Sequence, residues 1–141
     1  NIQPTLPNDY KIRQNNVGDK YIVGPKVDLS YTDLTGIDLS GVNLSDVNFR
    51  GADLTGADFT NTTLSQKNRF DEAILTNIKG HKIKTNNLTF AYDYFPTGYK
   101  LKINKFEETY ILGPYVNLRY TNLTNIKANV GYIENIKVIL L

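Results

Sequence analysis

The chain has 141 residues, a formal net charge of +2 and no cysteine. Its length fits one domain, and the lack of cysteine excludes disulfides, thiolate nucleophiles and cysteine metal sites. No run approaches the roughly 18 apolar residues of a membrane helix, so we expect no membrane insertion.

The first predicted element is a hairpin. Two short β-prone runs, Tyr10–Arg13 and Lys20–Val23, flank a polar patch that contains Gly18, which is typical of two antiparallel strands joined by a turn. Gly24 and Pro25 end the second strand.

A five-residue repeat begins at Val27. Read in fives, residues 27–66 are VDLSY, TDLTG, IDLSG, VNLSD, VNFRG, ADLTG, ADFTN and TTLSQ. The third residue of each unit, here called the central residue, is large and apolar. These predicted core residues are Leu29, Leu34, Leu39, Leu44, Phe49, Leu54, Phe59 and Leu64. A small or β-branched residue lies two positions before each, and Asp or Asn stands between the two in all but the last unit.

A period of five fits neither the helix nor the plain strand. It fits a chain that turns a corner once per unit, so that the central residue and the residue two before it both point inward. The Ser or Thr that follows, often with Gly, Asn or Asp after it, supplies the turn. Successive coils then stack around one interior column.

The units ADLTG (Ala52–Gly56) and ADFTN (Ala57–Asn61) match the A(D/N)LXX motif, and the segment resembles the pentapeptide-repeat family. The resemblance implies an all-β fold, a right-handed quadrilateral β-helix with four units per coil. The first coil of a solenoid exposes an open strand edge, so we interpret the preceding hairpin as a cap.

The regular fives fail after Ser65. Gln66 to Arg69 place polar residues where an inward residue is due, and Phe70 continues in a shifted phase. Ile78, Ile83 and Leu88 form another series of five, which we interpret as a second shift. We therefore predict degenerate coils with a bulge or small insertion over residues 66–94.

The sequence also contains a duplication. Residues 6–35 align without a gap on residues 95–124, with 14 of 30 positions identical, which marks a repeat architecture. The hairpin cap thus occurs twice, and we predict two units, residues 1–94 and 95–141. The sequence leaves open whether they share one column.

Charge is distributed unevenly. Residues 27–66 carry six Asp against Arg50 alone, a net charge of −5, so the remainder carries +7. The repeat itself places Asp at a solvated position, which is one explanation. Some pentapeptide-repeat proteins mimic a DNA duplex and bind DNA gyrase, and the acidic block is what would carry that role here. Against it, the block spans about two coils and the whole chain is basic, with a pI near 8.7.

Metal, cofactor and nucleic-acid sites are not predicted. Asp33 and Asp53 would stack about 4.8 Å apart, but a tight calcium site needs six or more oxygens. The lysines are dispersed among glutamates, which disfavours direct nucleic-acid binding.

Catalysis is not predicted either. The single histidine, His81, lies in a lysine-rich stretch without an evident Ser or Asp partner. An enzyme would require a defined pocket lined by His81 together with carboxylates.

These features predict a non-enzymatic structural and protein-interaction module, because capped solenoids form rigid rods with broad docking faces. Its partners would be other proteins or further copies of itself, in a virion surface, a fibre or a cell-surface filament. Tyrosine is enriched at interfaces, and the predicted interaction surface is Tyr99, Tyr110, Tyr115, Tyr120 and Tyr132. The alternative is an acidic DNA mimic that binds DNA gyrase or topoisomerase.

Overall fold

The molecule is built from strands and turns. The computed structural model describes residues 5–85, 95–103 and 106–119, and no helix occurs in these ranges. The strands are β1 (Lys11–Gln14), β2 (Lys20–Val23), β3 (Thr63–Leu64), β4 (Lys84–Thr85), β5 (Lys100–Ile103) and β6 (Thr109–Leu112). β1 pairs with β2 and β5 with β6 in antiparallel hairpins, whereas β3 and β4 are parallel. The all-β prediction is confirmed for these residues.

Stacked five-residue units connect β2 to β4. Parallel bridges join Asp33 to Asp53 and Asp38 to Asp58, and backbone N–H groups continue the pairing between the bridges. Leu29 N–H, for example, donates to Asn48 O over 2.8 Å. Bridge partners twenty residues apart are separated by four units. We call residues 27–46 rung 1, residues 47–66 rung 2 and residues 68–85 rung 3.

One inserted residue separates rung 2 from rung 3. Asn48 bridges Arg69, so partners are 21 residues apart from here on. Asn68 is 5% exposed, and its side-chain amide donates to Leu44 O over 2.6 Å and to Val47 O over 3.1 Å. The inward side chain of Asn68 therefore satisfies backbone carbonyls. The predicted small insertion corresponds to the one residue between rungs 2 and 3, Lys67.

The phase shifts once, not twice. Ile78 N–H donates to Leu75 O over 3.4 Å, the bond that the small residues of rung 2 make to the central residue three positions earlier. Ile78 and Ile83 therefore lie two positions before a central residue, and the predicted second shift is wrong. The central residue after Ile78 is Gly80, and Leu88 lies outside the described residues.

Every fifth residue adopts a left-handed backbone conformation. The angle φ lies between 56° and 72° at Lys26, Tyr31, Gly36, Gly41, Asp46, Gly51, Gly56 and Asn61. This region favours Gly and accepts Asn and Asp at modest cost, which explains the residues that end the units. The regular return of positive φ turns the chain once per unit.

The core is a column of inward side chains. Of the eight central residues of rungs 1 and 2, Leu29 is 4% exposed and the other seven are 0% exposed. Phe49 stacks on Phe70 of rung 3 with ring centroids 5.0 Å apart, and Phe59 meets Phe49 edge-on at 5.7 Å. Such pairs add about 0.5–1.5 kcal/mol beyond the burial of their area. The aromatic stack thus ties rung 3 to rung 2 across the inserted residue.

Each copy of the duplicated sequence forms a hairpin with the same closing contact. We call the β1–β2 pair hairpin 1 and the β5–β6 pair hairpin 2. The Tyr10 hydroxyl donates to Pro25 O over 2.9 Å, and the Tyr99 hydroxyl donates to Pro114 O over 2.7 Å. The glycine before each proline lies against the tyrosine ring and has no room for a Cβ. The duplicated residues therefore make duplicated contacts.

Candidate interaction surface

Hairpin 2 docks on rung 3 as an added strand. Ile111 N–H donates to Gly80 O over 2.7 Å, and Ile83 N–H donates to Thr109 O over 3.0 Å. All four residues of β6 are buried. The cross-strand pair Leu101 and Ile111 is 8% and 0% exposed, so this face of hairpin 2 belongs to the core.

Gly80 provides the space for this contact. It stands at a central position, where rungs 1 and 2 place leucine or phenylalanine. A Cβ on Gly80 would lie 2.8 Å from Ile111 Cβ, well inside the 3.5–4.0 Å at which carbon atoms pack favourably. The Ile111 side chain therefore fills the column where Gly80 contributes none.

The pairing continues beyond hairpin 2. Asn77 N–H donates to Tyr115 O over 2.7 Å, and Asn117 N–H donates to Ile78 O over 2.8 Å. Val116 is fully buried. The described residues of both predicted units, 1–94 and 95–141, thus contribute to one hydrophobic core.

Hairpin 1 is covered on one face and open on the other. Toward rung 1, the buried Asn15 amide donates to Asp33 O over 2.8 Å, and Val23 is 0% exposed. On the opposite face, the cross-strand pair Ile12 and Ile22 is 56% and 49% exposed. We call these two isoleucines the hairpin-1 face. No residue in the described ranges buries it.

The predicted tyrosine surface is only partly present. Tyr115 is 55% exposed, whereas Tyr99 is half-buried, and burial raises the pKa of its hydroxyl above the ordinary value. Tyr110 is 1% exposed, so its side chain belongs to the core and not to a surface. Tyr120 and Tyr132 lie outside the described residues.

Sequence reasoning missed the hairpin-1 face, although a signal exists. Side chains alternate along a strand, so β2 cannot turn Tyr21, Ile22 and Val23 all inward. The same alternation applies to hairpin 2, where the equivalent isoleucine is buried, so alternation alone does not tell an open face from a covered one.

The repeated Asp residues close the turns of the repeat. Asp33 Oδ1 accepts the Thr35 N–H over 3.0 Å and the Thr35 hydroxyl over 2.7 Å, and Asp53 and Thr55 form the same pair of bonds. The hydroxyl bond and then the backbone bond stabilise the ionised form and lower the pKa of Asp33. Among the described residues, no three His, Cys, Asp or Glu side chains come together as a metal site.

A pocket of about 400 Å³ lies beside rungs 2 and 3. Its lining residues are Asp58, Thr60, Lys79, His81, Asn117 and Arg119. His81 Nε2 lies 3.4 Å from Thr60 Oγ1, and His81 Nδ1 is buried and has no hydrogen-bond partner among the described residues. Burial lowers the pKa of His81; Asp58 opposes this shift, and Lys82 and Lys79 add to it.

This pocket contains His81 and the carboxylate of Asp58, the kind of groups that an enzyme would require. No hydrogen bond between the two is found among the described residues. A nucleophile–base relay needs a hydroxyl bonded to the imidazole and a group that orients the imidazole. Asp58 instead accepts the backbone N–H of Thr60 over 2.9 Å, and His81 Nδ1 bonds to no described residue. The pocket therefore holds polar groups without a catalytic relay.

The chain was compared with known proteins. The family model of the pentapeptide repeats matches residues 27–66 in eight copies, the same eight units that the five-residue period defines. The search of curated proteins and the search of solved structures each return no significant match. Repeats of this kind imply a β-helix and suggest protein interaction rather than catalysis. In the described ranges, no helix has the length and apolarity to cross a bilayer.

Proposed function

Residues 27–66 belong to the pentapeptide-repeat family, and from this premise we propose that the chain is a non-enzymatic structural and protein-interaction module. Its fold is a right-handed quadrilateral β-helix with a hairpin at the start of each of two units, 1–94 and 95–141. It serves as a rigid subunit or spacer of a larger assembly, such as a virion surface, a fibre or a cell-surface filament.

The observation that carries this proposal is the continuous backbone pairing around a column of buried, mostly apolar side chains. Rungs 1 to 3 are joined by parallel bridges, and the central residues inside them are almost completely buried. Bridge partners four units apart support four sides per coil. The backbone of each rung pairs only with the neighbouring rungs, between residues 20 or 21 positions apart in the sequence. Such nearest-neighbour stacking is what holds solenoid proteins together.

The hairpins support the role as caps. The open edge of a first coil offers unpaired N–H and C=O groups. Hairpin 1 covers the edge of rung 1, where Asn16 N–H donates to Thr35 O over 2.8 Å and the Asn15 side chain reaches Asp33 O. A covered edge keeps the column from uncontrolled pairing and leaves specific faces for partners.

Native particle size tests the assembly role. We expect the chain to run as part of a larger particle in material from its natural source, measured by size-exclusion chromatography with light scattering. A chain that is monomeric both in that material and after purification would contradict the proposal.

The charges along one row of stacked surface positions argue against the DNA mimic. Asp38, Asp58 and Lys79 are bridged in succession on one side of rungs 1 to 3, so the charge reverses where a duplex mimic would stay negative. In a gyrase supercoiling assay we therefore expect no inhibition at micromolar protein. Inhibition that disappears when Asp33, Asp38, Asp53 and Asp58 are all replaced by Asn would restore the mimic as the better interpretation.

A further inference from the structure

The pocket beside rungs 2 and 3 lies on one side of the column, where three segments stack in register. Lys79 N–H donates to Ala57 O over 3.0 Å, and Asn117 N–H makes the equivalent bond to Ile78 O over 2.8 Å. Neighbouring strands lie about 4.8 Å apart, so side chains at matching positions of the three segments face the same space. The segments are residues 58–60, 79–81 and 117–119, and the first and last residue of each line the pocket.

The rung-3 segment lacks the bond that closes the turns of the regular repeat. In rung 1, Asp38 accepts the Ser40 N–H over 2.9 Å and also the Ser40 hydroxyl. Rung 3 has Lys79 and His81 at these two positions, and lysine has no acceptor with which to form this bond. No carboxylate in the described part of the chain forms an ion pair with Lys79. Its ammonium group is therefore available to a ligand.

The third segment adds further donors to the pocket. Asn117 Oδ1 accepts the Arg119 N–H over 3.1 Å, which leaves the two amide N–H groups of Asn117 as donors. The Arg119 guanidinium also forms no ion pair within the described ranges. Lys79 and Arg119 carry two positive charges and Asp58 one negative charge, which leaves an excess of one positive charge. The pocket thus favours a ligand with one negative charge and oxygen acceptors.

We propose that this pocket binds the carboxylate of a small organic acid. Lys79 and Arg119 hold the carboxylate through charge-assisted hydrogen bonds. The volume of about 400 Å³ is at the lower end of small-molecule pockets, which span about 300–1,000 Å³. Carbon atoms make up most of its accessible wall, so the hydrocarbon part of the acid has a surface on which to lie. This binding site goes beyond the proposed function and is independent of it.

The single histidine of the chain provides a direct measurement. Burial lowers the pKa of His81; Asp58 and Glu108 oppose this shift, and Lys82 and Lys79 add to it. A carboxylate bound beside the imidazole favours the protonated form and therefore raises this pKa. NMR spectra of the full chain, recorded with increasing sodium butyrate at constant ionic strength, follow the His81 signals. Butylammonium, which has the same hydrocarbon chain and the opposite charge, is the control ligand.

We expect the His81 signals to shift and saturate with butyrate, and the pKa of His81 to be higher at saturation. The dissociation constant should be about 1–10 mM, because a few non-hydrogen atoms supply only a small binding free energy. Butylammonium should cause no saturating shift.

Variants of the two cations test their role. Lys79→Gln and Arg119→Gln should each weaken butyrate binding by about threefold to tenfold, as expected for exposed charged groups. Both side chains are exposed, so thermal unfolding should be nearly unchanged. Lys84→Gln is the matched control, because Lys84 occupies the same position in the next unit of rung 3, is exposed and does not line the pocket. Its affinity for butyrate should equal that of the wild type.

A variant of the pocket carboxylate should have the opposite effect. Asp58→Asn removes the negative charge that opposes the ligand and should tighten butyrate binding by about threefold. The amide oxygen of asparagine can still accept the Thr60 N–H that Asp58 accepts now. Asp53→Asn, at the same position in the preceding unit of rung 2 and outside the pocket lining, should leave the affinity unchanged.

The outcomes separate a specific site from general charge effects. Saturable binding that is weakened by Lys79→Gln and Arg119→Gln and kept by Lys84→Gln supports the proposal. A loss of equal size in Lys84→Gln overturns it, since the effect would then come from overall charge. The absence of saturation up to about 100 mM butyrate, far above the expected constant, also overturns it. Native particle size decides the proposed assembly role separately.

Discussion

Hairpin 1 and hairpin 2 have closely similar sequences and the same tyrosine–proline contact, but different surroundings. β2 has a burial pattern of exposed, half-buried, exposed and buried residues, whereas all four residues of β6 are buried. The difference comes from rung 3, which supplies a free carbonyl at Gly80 and no side chain to obstruct Ile111. Whether a strand face is core or surface is therefore decided by the neighbour in the stack and not by the strand itself.

The largest expected difference between the hairpins is in the cost of removing the equivalent isoleucines. Ile111→Ala should lower the free energy of unfolding by about 2–5 kcal/mol, as for other buried aliphatic truncations. Ile22→Ala should change it by less than about 0.5 kcal/mol, as for other exposed positions. Urea unfolding of both variants measures the difference.

Gly80→Ala serves as a control from the other side of the contact. Its new methyl group collides with Ile111 and should cost about 1–3 kcal/mol, the range for overpacking. Equal losses for Ile22→Ala and Ile111→Ala would mean that the two hairpin faces have equivalent environments, contrary to the structure.

A smaller effect should be the same in both hairpins. Tyr10→Phe and Tyr99→Phe each remove one hydroxyl bond to a proline carbonyl, worth about 0.5–1.5 kcal/mol. We expect similar losses in thermal unfolding, because this contact is duplicated with the sequence. Tyr115→Phe, at an exposed side chain, should have almost no effect. A loss confined to one hairpin would show that the two closing contacts are not equivalent.

The smallest expected effects are changes in stability with pH. They occur in different pH ranges for rung 3 and for rung 1. In rung 3, burial holds the pKa of His81 below its usual value of about 6.5. The unfolded chain then takes up the proton first, so stability falls as the pH drops from about 6.5 through the lowered pKa. His81→Gln should abolish this step.

Near hairpin 1, hydrogen bonds from the Ser or Thr two positions later hold the pKa values of Asp28, Asp33 and Asp38 below about 3.9. Their contribution is complete above that pH and is lost as the pH falls through the lowered values. Asp33→Asn should reduce the acid-dependent loss. Unfolding free energies between pH 3 and 8 resolve both steps, and stability that rises between pH 7 and 5 would contradict the assignment to His81.

The regular repeat was largely predictable from the sequence. Residues 27–66 repeat one local pattern, in which an inward leucine or phenylalanine, an Asp or Asn and a turn residue each follow from backbone geometry. The structure buries all eight central residues and gives positive φ to the residue that ends nearly every unit. Short-range rules suffice where every contact repeats.

The irregular part was harder to predict. Asn68 is a polar residue in an inward position, and only its bonds to Leu44 O and Val47 O make this acceptable. Ile78 and Ile83 keep a spacing of five in either of two roles, and the pairing of β3 with β4 assigns the role. Tyr110, which the sequence placed on a surface, is buried.

The sequence by itself determined the rung, its turns and the duplicated hairpin, because these depend on residues within about twenty positions of each other. Only the tertiary structure decided which hairpin face is covered. The reason is physical: Ile22 and Ile111 have closely similar local sequences and equivalent positions in their hairpins. The water around them is removed only if another rung supplies a backbone edge and an empty space, as Gly80 does for Ile111.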